Sequence, residues 1–210
     1  MRSMHYCQSC DEPHPMLPSD DGNARCARCA AVDVSAVRLP LLVLSGASGA
    51  SKSALFPLLL ERLNGRCAVF DVDWIIDPMG GVDRVDWSAF RDTWLHVAHG
   101  VAQNGLPTLL LGPFIPEHLA DLPGRRWVDG VHFAALDCSP AERRARIEAR
   151  AAWRARDIEG QQEFADWLRR HLSPVFDTST VSHEATADAV ASWVAHRLDC
   201  PGSSRATAGG

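Results

Sequence analysis

Apolar positions fall into two kinds of pattern along this chain. Short continuous runs occur at LPLLVL (39–44), at the start of RCAVFDVDWII (66–76), in LPTLLLGPF (106–114), in VHFAALDC (131–138) and in PVFDTST (174–180). Runs of this length predict strands buried on both faces. Between them the apolar residues recur at three- and four-residue intervals, the period of a helix with one buried face. ALFPLLLERLNG (54–65) predicts a helix closed by Gly65 and bent at Pro57. DWSAFRDTWLHVAHGVAQNG (86–105) predicts another, with Asp86 as N-cap and a stripe of Trp87, Phe90, Trp94, Val97 and Val101. A long arginine-rich helical region is expected from Pro140 to about Arg170, and an amphipathic closing helix over 184–198. Strands alternating with helices imply an α/β fold with a five-stranded parallel sheet and helices on both faces, spanning 38–199.

Residues 1–34 break this pattern. They carry Cys7-x2-Cys10 and Cys26-x2-Cys29 with fifteen residues between the pairs. That spacing suits a zinc ribbon, in which two knuckles supply four thiolates to one Zn2+. The intervening DEPHPMLPSDDGNAR is rich in Pro, Asp and Gly and builds no core, so a metal would supply the missing folding energy. Four reduced structural cysteines are the alternative, and His5 and His14 are substitute ligands. The tail 200–210 is expected to be disordered.

Composition narrows the function. The chain has 210 residues and a net charge of −5, which provides no global basic field for nucleic acid. No apolar run is long enough to span a membrane, and the first residues lack a signal-peptide core, so a cytoplasmic location is the expectation. Seven cysteines in that setting point to metal ligation or free thiols. Of the 21 basic residues, Lys52 is the one lysine. A chain that otherwise uses arginine has placed a compact ammonium at a position where a planar guanidinium would not fit.

Lys52 lies in GASGASKS (46–53), directly after the first apolar strand. The stretch matches G-x-x-x-x-G-K-[ST] at seven of eight positions, Ser51 standing in place of glycine. Gly46, Ala47, Ser48, Gly49, Ala50, Ser51, Lys52 and Ser53, with Ala54 opening the helix, are expected to hold phosphates through backbone N–H groups and the helix N-terminus. Lys52 would bridge the β- and γ-phosphates and the Ser53 hydroxyl would ligate Mg2+. If the loop needs a positive φ at Ser51, serine there costs about 1–2 kcal/mol, and glycine in its place is expected to leave activity intact or raise it.

Two further groups bear on chemistry. Asp71 and Asp73, two apart, are expected on one side of the second strand at the end where parallel sheets bind ligands. One could hold the Mg2+ shell through water and the other accept a proton from an attacking hydroxyl; the alternative is a turn or cap role. Arg143, Arg146, Arg150 and Arg154 fall on one helical stripe, suited to triphosphate; the alternative is a surface helix paired locally with Glu142 and Glu148.

Through GASGASKS, FDVDWII, RIEARAAWR and PVFDTST, residues 39–198 resemble the P-loop small-molecule and nucleoside/nucleotide kinases, the group that includes shikimate, gluconate and adenylate kinases. The resemblance implies ATP with Mg2+, a mobile lid at about 140–170, and an acceptor site between the second strand and the helix after it. By position, Asp71 resembles the metal-side aspartate, Asp73 the acceptor-side one, Arg146 and Arg150 the lid arginines, and Thr178 a residue lining adenine. Two departures stand out: Ser51, and the absence of an acid at the end of LLLGPF, whose role Asp71 would have to cover.

The expected activity is transfer of the γ-phosphate of ATP to a small-molecule acceptor: a nucleoside, a nucleotide or another hydroxyl compound. Arg84, Arg91, Arg125 and Arg126 are candidate acceptor anchors. Trp74 and Trp87 could stack on a flat acceptor, with core packing favoured for Trp87. A second reading is an ATP-binding regulatory or adaptor protein whose ribbon docks a protein or nucleic-acid partner. A GTPase is disfavoured, because its guanine-reading motif needs a second lysine. A monomer and a dimer fit the sequence equally.

Overall fold

The computed structural model describes residues 4–7, 9–18, 24–33, 38–149 and 157–199. Arg150, Arg154 and the tail 200–210 lie outside the described residues.

The N-terminal unit is a four-stranded antiparallel sheet, β1 (Met4–Cys7), β2 (Glu12–Pro18), β3 (Ala24–Cys26) and β4 (Val32–Asp33), in that order. The expected α/β region follows as β5 (Leu41–Ser45), α1 (Lys52–Arg62), β6 (Ala68–Asp71), α2 (Trp87–Ala102), β7 (Thr108–Gly112), β8 (Val131–Asp137), α3 (Pro140–Glu148), α4 (Ile158–His171), β9 (Val175–Asp177) and α5 (His183–Asp199). Its strands form a five-stranded sheet ordered β6-β7-β5-β8-β9, with every pairing parallel. All carboxyl ends therefore share one edge, with β5 at the centre.

Strand alternation sorts the core onto two faces. Leu42 and Leu44 of β5 join Leu109, Leu111, Ala134 and Leu136 beneath α1 and α5. Leu41 and Val43 join Leu110 and the α2 residues Phe90, Trp94 and Leu95. Ala135 turns to Leu168 and Leu172 at the end of α4. Every residue of β5 and β7 is buried, as their continuous apolar runs require.

Asp86 caps α2, its carboxylate accepting the N–H of Ser88 (2.9 Å) and Ala89 (3.1 Å). The α2 stripe holds at Phe90 and Trp94, but Trp87 is 39% exposed and meets Phe90 edge-on, so the expected core role fails. The helical region expected over 140–170 holds α3 and α4. Asp157, left-handed at φ 55°, starts α4 and accepts the Gly160 N–H at 3.0 Å, which sets a fresh N-terminus. Helix α1 runs through Pro57, which withholds an N–H from the Ser53 carbonyl.

Candidate functional site

Residues 46–51 leave the carboxyl end of the central strand and turn into α1. Ser45 is in register with Gly112 of β7 and Ala135 of β8, so the loop emerges between two neighbouring strand ends. The chain passes close to its surroundings here. A side chain at Gly46 would meet the Leu136 carbonyl, and one at Gly49 (φ 85°) would press on Arg143. Ser51 has φ 68° and ψ 21°, a left-handed conformation. It costs serine about 1–2 kcal/mol relative to glycine.

The loop groups converge on oxygen acceptors. Lys52 Nζ donates to the carbonyls of Gly46 (2.5 Å) and Ala47 (3.1 Å), folding the ammonium over the loop. The Ser48 N–H donates to Gln161 Oε1 of α4 at 2.7 Å. Gln161 had no signal in the sequence beyond its place near a helix start. Ser53 and Ala54 are exposed in the first turn of α1.

Arg146 spans the loop and the segment after β9. Its Nη1 donates to Gly49 O (3.2 Å), Ser51 Oγ (3.1 Å) and Thr178 Oγ1 (3.0 Å). Its Nη2 donates to Thr178 O (3.0 Å) and Glu142 Oε1 (3.2 Å). Thr178 is itself buried and donates its hydroxyl to the Asp137 carbonyl at 3.0 Å. Structure thus gathers Gly49, Ser51, Arg146 and Thr178 in one hydrogen-bonded group.

The arginine stripe does not hold as a unit. Arg143 is fully buried, its Nη2 bonded to Asp137 Oδ1 and to the Cys138 carbonyl (2.8 Å), its Nη1 to Gln162. Arg169 of α4 takes the other Asp137 oxygen at 2.8 Å. A buried carboxylate six residues before Arg143 competes for it and wins, since an unpaired Asp137 would be costly. Arg143 is therefore a structural cation tying α3 and α4 to β8, and of the described stripe it is Arg146 whose guanidinium bonds the loop.

The two aspartates also part company. Asp71 ends β6 at the shared carboxyl edge, but Asp73 lies in a 3-10 turn over Val72–Ile75. Asp71 Oδ1 accepts the Asp73 N–H at 3.0 Å, a cap that ends the strand and voids the same-face expectation. Both remain at the edge: Asp71 is half-buried and Asp73 exposed. Trp74 beside them is 56% exposed, held edge-on by Phe56 and Phe70.

On the α2 side, Arg91 is half-buried, 6.0 Å from the Trp87 ring, with its Nη2 3.4 Å from His118 Nε2. Burial lowers the Arg91 pKa, and burial followed by the Arg91 charge lowers that of His118. Arg125 and Arg126 serve local structure instead. Arg125 donates to the Val128 carbonyl at 2.9 Å, and Arg126 lies 5.1 Å from the Trp127 ring.

The four N-terminal cysteines form one cluster, their sulfurs within 4.8 Å of one another. Cys7 and Cys29 sulfurs are 3.7 Å apart, and those of Cys10 and Cys26 3.8 Å. These are not disulfides. Zn–S bonds of about 2.3 Å in a tetrahedron place sulfurs about 3.8 Å apart, so the geometry fits zinc. Both knuckles turn alike: Asp11 (φ 60°) and Ala30 (φ 55°) follow the second cysteine of each pair in the left-handed region. Backbone N–H groups of Cys29 and Arg28 bring the Cys26 thiol down to about 7, while its sulfur neighbours, Cys29 first, push Cys10 up to about 12. Four sulfurs this close cannot all ionise without a cation between them. Trp127, 1% exposed, packs on Cys7 and Cys26 and stacks on His99 of α2 at 4.9 Å.

No family model matches the chain, and no curated protein matches it. Solved structures do. A sugar kinase from Janibacter sp. HTCC2649 is 17% identical with a TM-score of 0.56, over 75% of this chain and 95% of that one. An APS kinase of Mycobacterium tuberculosis, in complex with AMPPNP and APS, is 20% identical with a TM-score of 0.52, over 75% and 99%. A tunicamycin resistance protein of Deinococcus radiodurans is 16% identical with a TM-score of 0.52, over 75% and 95%. The chain has the fold of the P-loop kinases, joined to a four-cysteine site fit for zinc. Among the described residues no helix is long and apolar enough to cross a membrane.

Proposed function

We propose that the protein is an ATP-dependent phosphotransferase that moves the γ-phosphate to a small-molecule acceptor bearing a hydroxyl. The observation that carries this reading is the arrangement of the chain's one lysine, in a glycine loop at the end of the central strand, with Arg146 bound across that loop. The kinase names of the sugar-kinase and APS-kinase neighbours agree with it. In this reading residues 38–199 form the phosphotransferase unit and 1–34 the ribbon.

Loop N–H groups of residues 47–53 and Lys52 bind the phosphates, and Arg146 balances their charge from the side of Thr178. Ser53 and Asp71 offer the hard oxygen donors that Mg2+ prefers, and the ion would neutralise charge on the transferring phosphoryl group. Asp73, exposed beside the strand end, accepts the acceptor's hydroxyl proton. The acceptor oxygen then forms a bond to the γ-phosphorus as the bond to the ADP oxygen breaks, and ADP leaves. The indoles of Trp74, next to Asp73 in the chain, and of Trp87 are exposed and suit an acceptor with a flat face.

The test is transfer of labelled γ-phosphate from ATP across nucleosides, nucleotides, sugars and antibiotics. Acceptor-dependent transfer that is lost in Lys52→Ala supports the proposal. Saturable ATP binding with no transfer to any acceptor would favour the adaptor reading instead.

A further inference from the structure

Ser51 occupies a backbone conformation that glycine adopts freely and serine does not (φ 68°). Strain of this kind persists where the surrounding structure uses it. The Ser51 hydroxyl has a partner that glycine could not supply: Arg146 Nη1, 3.1 Å away. That nitrogen also reaches Gly49 O and Thr178 Oγ1, and Nη2 reaches Thr178 O and Glu142 Oε1. The guanidinium is thus fixed from three sides, by the loop, by the segment after β9 and by its own helix. Arg143, one turn earlier, is turned wholly inward to Asp137. Arg146 is the cation of α3 that the loop itself holds.

We infer that Ser51 is a positioning residue, whose hydroxyl docks the Arg146 guanidinium on the phosphate loop before nucleotide binds. A long arginine side chain loses rotamer freedom when it is fixed. Docking it in the free protein removes that loss from the binding step, which is how preorganisation raises affinity. The left-handed turn puts the serine Cβ and hydroxyl on the Arg146 side of the loop, so the strained backbone and the hydrogen bond form one device. The inference rests on the phosphotransferase reading and deepens it: the departure from the glycine pattern strengthens nucleotide binding.

The experiment is titration calorimetry with a non-hydrolysable ATP analogue and Mg2+, beside thermal melting, on the full chain carrying Ser51→Gly, Ser51→Ala, Arg146→Ala and the Ser51→Gly/Arg146→Ala pair. Ser51→Gly is expected to melt higher than the parent, since strain is released, yet to bind about three- to tenfold more weakly, the size of one hydrogen bond. Ser51→Ala is expected to lose the same affinity while keeping the strain. In the Arg146→Ala background, Ser51→Gly is expected to cost no further affinity. Unchanged or tighter binding by Ser51→Gly overturns the inference. So does an equal loss in the Arg146→Ala background, because the hydroxyl would then act on the nucleotide directly. If the parent protein binds the analogue and the Ser51 variants bind it equally well, Ser51 alone is misassigned. If the parent binds none, the phosphotransferase reading falls with it.

Discussion

Strands β5 and β7 bury every residue they contain, whereas the whole N-terminal sheet contributes, among its described residues, two buried side chains, both cysteines. The first region is held by apolar area on two faces of a sheet, near 25 cal/mol per Å2 of buried surface. The second has three prolines in β2 and a sheet too small to enclose anything. What it has instead is four sulfurs placed so that a single ion could join them. One chain therefore contains two answers to the entropy of folding: many weak contacts, or one strong cross-link. Trp127 belongs to both, its ring set between the cysteine cluster and His99.

Metal removal separates the two answers most sharply. Structural zinc contributes about 10–16 kcal/mol in small zinc-bound peptides. A strong chelator, or Cys26→Ser, is expected to unfold residues 4–33 and leave the parallel sheet standing. Amide exchange followed by mass spectrometry would show full exchange in the first region and protection in β5, β7 and β8. Loss of protection in both would mean that the sheet depends on the ribbon. Trp127→Ala is the next largest change, at about 3–5 kcal/mol for a fully buried indole. It is expected to lower the melting temperature of the sheet and weaken zinc retention at once, read by calorimetry and by a metal-indicator competition. A fall in melting temperature with unchanged zinc affinity would place Trp127 in the sheet's core alone.

The same contrast explains what was legible in the sequence. Strands β5 and β7 announce themselves because burial on both faces demands unbroken apolar runs, and the cysteine pairs do so because tetrahedral ligation demands their spacing. The stretch 46–53 stands out in the sequence by its glycines and the chain's one lysine, whereas the left-handed backbone of Ser51 is seen only in the structure. What stayed hidden was decided by partners distant in sequence or by a single polar contact. Asp71 capping Asp73 ended β6 early, and no apolar pattern encodes that. Helical spacing put Arg143 beside Arg146, but Asp137 captured the first and the loop held the second. Gln161 reaches Ser48 from 113 residues away, and Trp127 meets cysteines from the other end of the chain. Ser51 reads in sequence only as a departure from the glycine pattern, because the partner of its hydroxyl lies 95 residues further on.

Acid should touch the two regions by different routes, with the smallest effect in the sheet. Burial lowers the pKa of His118, and Arg91 pushes it the same way against a weaker pull from Glu117. Burial likewise lowers His132, with Arg197 adding to it and Asp129 opposing. An unfolded imidazole takes up its proton near pH 6.5, while these folded ones resist. The unfolded chain therefore binds more protons as pH falls through that value, and sheet stability declines below about pH 6.5. In the cysteine cluster the protons compete with the metal for thiolate instead. Urea unfolding at pH 7 and pH 5.5, with zinc present throughout, isolates the histidine contribution when the parent is set against His118→Gln. The variant is expected to lose less stability than the parent between the two pH values, because glutamine has no proton to gain. An identical loss in both would show that His118 is no more reluctant to charge in the folded chain than in the unfolded one, and that the acid response belongs to His132 and the cysteines.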